Sequence, residues 1–200
     1  MSYIDDIAEI AYNYVVKRLD EELEMSKSCS GGALRYFSGK TVENLIHIIW
    51  NELAEADINK INSIKIEDLK GDKVPLTVCD SDGNSINESV DRHCFINGKL
   101  VAAIECKTYL DKCYMQRADS DFNIMKMSNN AFKAIIVSLE DSVKSDSFNF
   151  FMNRGNIDKV FILADGKRNS EDGKQIYKTP QRLNKSYFKD LVSYLDSLVR

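Results

Sequence analysis

One acidic residue and an acid–lysine pair form the most chemically suggestive spacing in this sequence. Asp91 is followed, after thirteen intervening residues, by Glu105-Cys106-Lys107. Residues two apart on a strand project from the same face, so Glu105 and Lys107 would point together from a strand. Mg²⁺ prefers one or two carboxylates and keeps waters for a substrate phosphate. The spacing therefore predicts a magnesium site formed by Asp91 and Glu105, with an amine beside it.

A β-hairpin must position these side chains. Two short apolar runs, 90–96 and 99–107, flank Asn97-Gly98, a strong signal for a tight turn between strands. A two-residue loop alone would turn Asp91 away from Glu105. A three-residue loop, or a bulge in either strand, would bring Asp91, Glu105 and Lys107 onto one face. The metal-site hypothesis requires one of these two arrangements.

The position of Glu105 and Lys107 separates them from the other acid-x-lysine triplets. They end the apolar run 100–104, where burying charge is costly unless a metal or an ion pair compensates. The other two triplets, 165–167 and 172–174, contain glycine in polar surroundings, which is typical of turns. The alternative for Glu105 and Lys107 is a surface salt bridge at a strand end.

The remaining elements alternate between helices and strands. Apolar periodicity predicts helices over about 3–25, from Thr41 to about 57, over 143–153 and over 186–199, with helical potential in 109–130. Strands are expected over 61–69, 132–139 and 159–163, and a polar loop over 79–88. We expect a single α/β domain of 1–200, with a helical part to about 57, a sheet core over 60–165, and a C-terminal loop and helix over 166–200.

The residues of the hairpin resemble the PD-(D/E)xK nucleases, whose best-known members are type II restriction endonucleases. Asp91 matches the first acid, Glu105 the second and Lys107 the lysine, whereas Val90 stands where the pattern has proline. The resemblance implies a restriction-endonuclease-like core, a mixed central β-sheet flanked by helices. It also implies Mg²⁺-dependent hydrolysis of DNA phosphodiesters that leaves 5′-phosphates.

The small size of the chain favours a type II restriction enzyme that makes sequence-specific cuts in both strands of DNA. Such an enzyme would act as a homodimer on a palindromic site. Two alternatives share the fold: a structure-specific resolvase or repair nuclease, and a catalytically silent DNA-binding module.

Glu43 is a further candidate for the site. It lies on the second predicted helix, and in some members of the family an acid from an N-terminal helix joins the metal site. The alternative is an ordinary solvated acid, because glutamate favours exposed helix positions.

Several basic and amide side chains could contact DNA. Arg35 and Lys40 precede the helix expected to begin at Thr41, and helix N-termini favour phosphate. Further candidates are Gln116 and Arg117, after the catalytic strand, and Lys167, Arg168, Lys174 and Arg182 in the C-terminal loop. A solvated helix face explains Gln116 and Arg117 equally well, and a surface loop explains the last four residues about equally well. The segment 32–41 lacks the glycine spacing of a phosphate-binding loop, so no nucleotide cofactor is expected.

Composition limits the partners. The net charge of −4 argues against a polyanion, but residues 1–100 carry 11 Lys+Arg and 18 Asp+Glu, whereas residues 101–200 carry 16 and 13. This asymmetry predicts a polarised molecule with weak non-specific DNA binding without metal and steep sensitivity to salt. The sequence contains no apolar run long enough for a membrane span, no signal peptide, and an odd number of scattered cysteines, which favour a bacterial-type cytoplasm.

Overall fold

Helices cover both faces of a mixed β-sheet in the computed structural model. It describes residues 2–25, 31–56, 63–67, 76–79, 82–128, 130–166 and 182–200. The predicted fold class, an α/β fold with a mixed central sheet flanked by helices, is confirmed. In chain order the elements are α1 (Tyr3–Met25), α2 (Gly31–Ala56), β1 (Ile64–Glu67), β2 (Leu76–Cys79), β3 (Ser85–Glu88), β4 (Arg92–Ile96), β5 (Lys99–Leu110), α3 (Lys112–Ser128), β6 (Lys133–Asp141), α4 (Ser145–Asn153), β7 (Lys159–Ile162) and α5 (Lys185–Val199).

The central sheet has five strands in the order β1-β4-β5-β6-β7. The strands β1, β4 and β5 pair antiparallel, whereas β6 and β7 run parallel to β5. The long strand β5 therefore lies in the middle of the sheet and has a neighbour on each side. Because parallel strands are usually buried on both faces, this position explains the nearly continuous apolar runs of β5 and β6.

Two apolar cores lie on opposite faces of this sheet. The helices α1, α2 and α5 pack on one face, around residues such as Trp50, Ile104 and Leu191. The helices α3 and α4 pack on the other face, around residues such as Phe122 and Ile136. Side chains that alternate along β5 therefore point in turn to α2 and to α3. No helix in the described part of the chain has the length and apolarity to cross a membrane.

The expected start of the second helix at Thr41 is wrong. The helix α2 begins ten residues earlier, at Gly31, and Thr41 lies inside it with a fully buried side chain. No proline interrupts residues 31–40, and most residue types there are compatible with a helix, so the glycines do not end it. A phosphate contact at a helix start near Thr41 is therefore excluded.

The polar segment over 79–88, expected to be a loop, contributes to a small hairpin instead. The strands β2 and β3 pair antiparallel, with Cys79 opposite Ser85, and form a separate two-stranded sheet. Gly83 lies between them with a φ of 81°, which glycine adopts without strain. The strand β3 pairs without the apolar alternation by which strands are recognised in a sequence, because Ile86 is its one apolar residue.

Candidate active site

An irregularity in the β4–β5 hairpin decides which side chains share a face. The turn has two residues, Asn97 and Gly98, with φ of 51° and 75°, the conformation in which Asn-Gly is favoured. Phe95 pairs with Leu100, but Cys94 pairs with Ala102, so β5 contains one extra residue, Val101. Of the two arrangements that the metal-site hypothesis allowed, the structure has the bulge.

The bulge places the predicted acids and lysine together. Arg92 pairs with Ile104, so Asp91, just before β4, lies beside Glu105 at the same end of the hairpin. The ammonium Nζ of Lys107 lies 3.5 Å from Oδ2 of Asp91 and also forms an ion pair with Oε1 of Glu105. One amine therefore contacts both carboxylates.

A backbone N–H and a side-chain guanidinium hold Asp91 from two sides. Its Oδ2 accepts a hydrogen bond of 2.8 Å from the backbone N–H of Cys106. Its carbonyl oxygen accepts one of 2.7 Å from Nη1 of Arg92. The carboxylate is thus tied to β5, and the backbone of Asp91 is tied to the side chain that follows it. Both bonds restrict the direction in which the acid points.

Burial sets the electrostatics of the site. Glu105 is only 6% exposed, and this desolvation raises its pKa; the charge of Asp91 raises it further and Lys107 opposes the rise. Burial would lower the pKa of Lys107, but the charges of Glu105 and Asp91 outweigh it and the pKa is raised. Lys107 is therefore a protonated ammonium at neutral pH, and the two acids form a site that favours positive charge.

Comparison with known proteins agrees with the resemblance of the motif. Over 165 aligned residues the chain is 27% identical to the type II restriction enzyme DdeI of Desulfomicrobium norvegicum (strain DSM 1741 / NCIMB 8310). The chain is similar to a type II restriction enzyme. The predicted likeness to type II restriction endonucleases is thereby confirmed. The match covers 68% of this chain and 65% of that relative, so the chain spans about two thirds of the relative's length.

Two other comparisons add little. A chain of the native BbvCI A2B2 tetramer superposes with a TM-score of 0.39 and 14% identity, covering 92% of this chain and 87% of the other. At that TM-score the two share only a general likeness. No protein-family model matches the chain.

The two carboxylates of this restriction-enzyme-like chain fit magnesium. The described residues contain no group of three or more His, Cys, Asp or Glu side chains that could hold a metal ion. Mg²⁺ does not require such a group, since one or two carboxylates suffice when waters and a phosphate complete its coordination. The ammonium of Lys107 contacts both carboxylates, so the negative charges of the two acids act together on one cation. Two carboxylates are therefore a donor set typical of a hard divalent cation, whereas protein zinc sites usually include histidine or cysteine.

Glu43 lies close to this site but contacts different partners. Its Oε2 is 2.5 Å from Nζ of Lys40 and 3.2 Å from Nη1 of Arg92. Arg92 points to the face of the sheet that α2 covers, whereas Glu105 and Lys107 lie on the face of α3. The structure thus brings Glu43 to Arg92, and Arg92 links it to Asp91. His47, one turn later on α2, is exposed.

The structure adds residues that the sequence did not single out. The ring of Tyr114, on α3, lies 5.7 Å from Nζ of Lys107, and Tyr109 packs edge-on against it. Asp121, also on α3, is close enough for its charge to raise the pKa of Glu105. No local pattern marks Tyr114 or Asp121. Arg92 could have been found, because it is the charged residue that follows the first acid in the predicted strand over 90–96.

The DNA-contact candidates are only partly described. Gln116 and Arg117 are exposed at the start of α3, and Nε of Arg117 lies 3.6 Å from Asp121. Lys40 pairs with Glu43, and Arg182 is exposed. The side chain of Arg35 lies outside the described residues, as do Lys167, Arg168 and Lys174 entirely.

Proposed function

We propose that this protein is a type II restriction endonuclease, which hydrolyses phosphodiester bonds in both strands of a specific DNA sequence and leaves 5′-phosphates. One observation carries the proposal. A single ammonium, that of Lys107, contacts two acids, Asp91 and Glu105, beside the central strand β5 that carries Glu105 and Lys107. The similarity of the chain to a type II restriction enzyme supports the same conclusion.

Asp91 and Glu105 would hold Mg²⁺ in this proposal. When bound, the metal polarises the scissile phosphate and lowers the pKa of a bound water. The hydrogen bond from the N–H of Cys106 keeps the Asp91 carboxylate directed at the site. Burial deprives Glu105 of water, so this carboxylate gains more from a bound cation than an exposed one would.

Lys107 would act on the reacting groups directly. Its raised pKa keeps the ammonium protonated, so it donates hydrogen bonds and stabilises negative charge. It would orient the attacking water and stabilise the charge that develops on the phosphate as oxygen attacks phosphorus. The bond from phosphorus to the 3′ oxygen then breaks; the 3′ oxygen takes up a proton to become a hydroxyl, and the phosphate stays on the 5′ end of the downstream strand. The Tyr114 ring beside Nζ limits the positions that the ammonium can reach.

Two active sites are required to cut both strands of a palindrome. We therefore propose that the protein acts as a homodimer, with one site for each strand. Double-stranded DNA would approach the part of β5 that lies beyond its pairing with β4 and carries Lys107. The exposed Gln116 and Arg117, on the helix that follows β5, are suited by residue type to contact it.

Cleavage of plasmid DNA tests the proposal. The wild-type protein should produce discrete fragments with Mg²⁺ and none with a chelator. Lys107→Ala should lower the rate by about 100-fold or more, since it removes a preorganised donor from the developing charge. Lys126→Ala is the matched control, because that ammonium pairs with Asp158 at 2.8 Å, away from the two acids. It should cleave as the wild type does.

Two outcomes would contradict the proposal. Folded wild-type protein that cuts no DNA with Mg²⁺ or Mn²⁺ would exclude a nuclease. Cleavage of branched DNA alone, with linear and circular duplexes left intact, would indicate a resolvase instead.

A further inference from the structure

Arg92 is a buried cation next to the first acid of the site. It is the first residue of β4, and its side chain is only 7% exposed. A buried guanidinium is tolerated when carboxylates and carbonyl oxygens accept its hydrogen bonds. The groups that accept hydrogen bonds from Arg92 therefore indicate the role of this buried side chain.

Three contacts join Arg92 to α2 and to the site. Nε donates to the backbone carbonyl of Glu43 at 3.1 Å, and Nη1 lies 3.2 Å from the Glu43 carboxylate. Nη1 also donates to the carbonyl oxygen of Asp91 at 2.7 Å. One rigid, planar group thus fixes the distance between helix α2 and the backbone of Asp91. Lysine could keep the charge but not this fork of donors.

Asp91 depends on such support because it stands outside the regular ladder. The pairing of β4 with β5 begins at Arg92, so Asp91 lies one residue outside the paired part of β4. The Cys106 N–H holds the carboxylate, and Arg92 holds the carbonyl of the same residue. Loss of either bond would leave the acid free to turn, and small displacements of a reacting or ligating group are costly to catalysis.

We propose that Arg92 is a positioning residue that holds Asp91 in its metal-binding orientation, and that Glu43 acts on the site through Arg92 and not as a metal ligand. This rests on the proposed function only in taking Asp91 as a ligand. Residues that orient metal ligands commonly change metal affinity by 10- to 100-fold when mutated. Arg92 and Glu43 should behave in this way.

Calorimetry of Mn²⁺ binding to the full-length protein tests the proposal without requiring cleavage. Asp91→Asn identifies the binding that depends on this acid. Arg92→Lys should weaken that binding by about 10-fold or more and raise the Mg²⁺ concentration for half-maximal cleavage. Its DNA affinity in Ca²⁺ should stay within about twofold of wild type. Arg154→Lys is the matched control, because Arg154 pairs with the buried Asp119 at 3.0 Å and should leave Mn²⁺ binding unchanged.

A double variant tests whether Glu43 acts through Arg92 or binds the metal independently. If Glu43 acts through Arg92, then Glu43→Gln should weaken Mn²⁺ binding less in the Arg92→Lys background than in the wild type. Equal losses in both backgrounds would show an independent ligand and overturn that part of the proposal.

The results decide between positioning and mere structural support. Arg92→Lys with a lower Tm but wild-type Mn²⁺ affinity would overturn the proposal, as would a wild-type protein without Asp91-dependent Mn²⁺ binding. If Arg92→Lys does not fold, Glu43→Ala, which removes a partner of Arg92, must weaken Mn²⁺ binding; unchanged affinity would overturn it. A wild type that binds Mn²⁺ but cuts no DNA would contradict the proposed function alone, because the binding comparison still decides the role of Arg92.

Discussion

At the scale of single residues, Glu105 shows function and stability in conflict. Its carboxylate is nearly fully buried, and its pKa is raised by burial first and by the charge of Asp91 second. A folded-state pKa above that of the unfolded chain means that ionised Glu105 destabilises the fold. This loss of stability occurs at the position where the ionised carboxylate would bind the proposed metal.

Glu105→Gln should abolish cleavage and raise the Tm of the metal-free protein at neutral pH. As pH rises from the ordinary glutamate pKa to the raised one, the unfolded chain loses this proton first, so the wild type loses stability while a neutral amide does not. The advantage of the variant should therefore be smallest at low pH and grow as pH rises. Thermal denaturation at several pH values, with the exposed Glu55→Gln as control, measures it. A variant less stable than wild type at neutral pH would show that the Lys107 ion pair outweighs the burial of the charge.

Removing the amine should have the opposite effect on stability. Lys107→Met leaves Glu105 and Asp91 facing each other without the ammonium that contacts both. We expect it to lower the free energy of unfolding by about 1–3 kcal/mol, because one partner of a largely buried pair remains uncompensated. Adding Glu105→Gln should recover part of that loss. Urea denaturation of both single variants and the double variant gives the coupling free energy between Glu105 and Lys107. Strictly additive losses of stability would contradict the expected recovery.

At the scale of elements, the sequence predicts the hairpin well but not its register. The Asn97-Gly98 turn and the shared face of Glu105 and Lys107 follow from local rules, and the structure has both. A three-residue loop and a bulge satisfy the same requirement, so local patterns could not choose between them. The choice depends on packing: Val101 and Ala102 both face the core of α1, α2 and α5. The early start of α2 and the β2–β3 hairpin do not follow from local rules either, because the glycines at 31 and 32 and the polar residues of β3 are local signals of loops.

Deleting Val101 should keep the acids together. Leu100 and Ala102 would become neighbours on a regular strand, while Cys94 still pairs with Ala102 and Arg92 with Ile104. Cleavage should therefore survive, with a modest loss of Tm from the lost side chain. Inserting an alanine after Val101 should abolish cleavage, because a second extra residue moves Glu105 away from Asp91. Plasmid cleavage and thermal denaturation compare the two; a folded deletion variant without activity would contradict this account of the bulge.

At the scale of the whole molecule, the site joins parts of the chain that are far apart in sequence. The bond from Arg92 to Glu43 spans 49 residues, and the ion pair of Lys107 with Asp91 depends on the hairpin between them. A sequence identifies the chemistry of such residues but not which distant partner each one meets. This is why the acids and the lysine could be predicted, whereas the link through Arg92 could not.

The proposed dimer should reveal itself when active and inactive subunits are mixed. If each subunit cuts one strand, a dimer of wild type and Lys107→Ala binds the site normally but cuts only one strand, so supercoiled plasmid becomes nicked circle and not linear DNA. Co-expressing the two chains with different affinity tags isolates this mixed dimer. Agarose electrophoresis should show nicked circles accumulating, whereas the wild-type dimer gives linear DNA and the doubly mutant dimer leaves the plasmid supercoiled. Linear product at the wild-type rate from the mixed dimer would show that one active site cuts both strands, and the homodimer proposal would then fail.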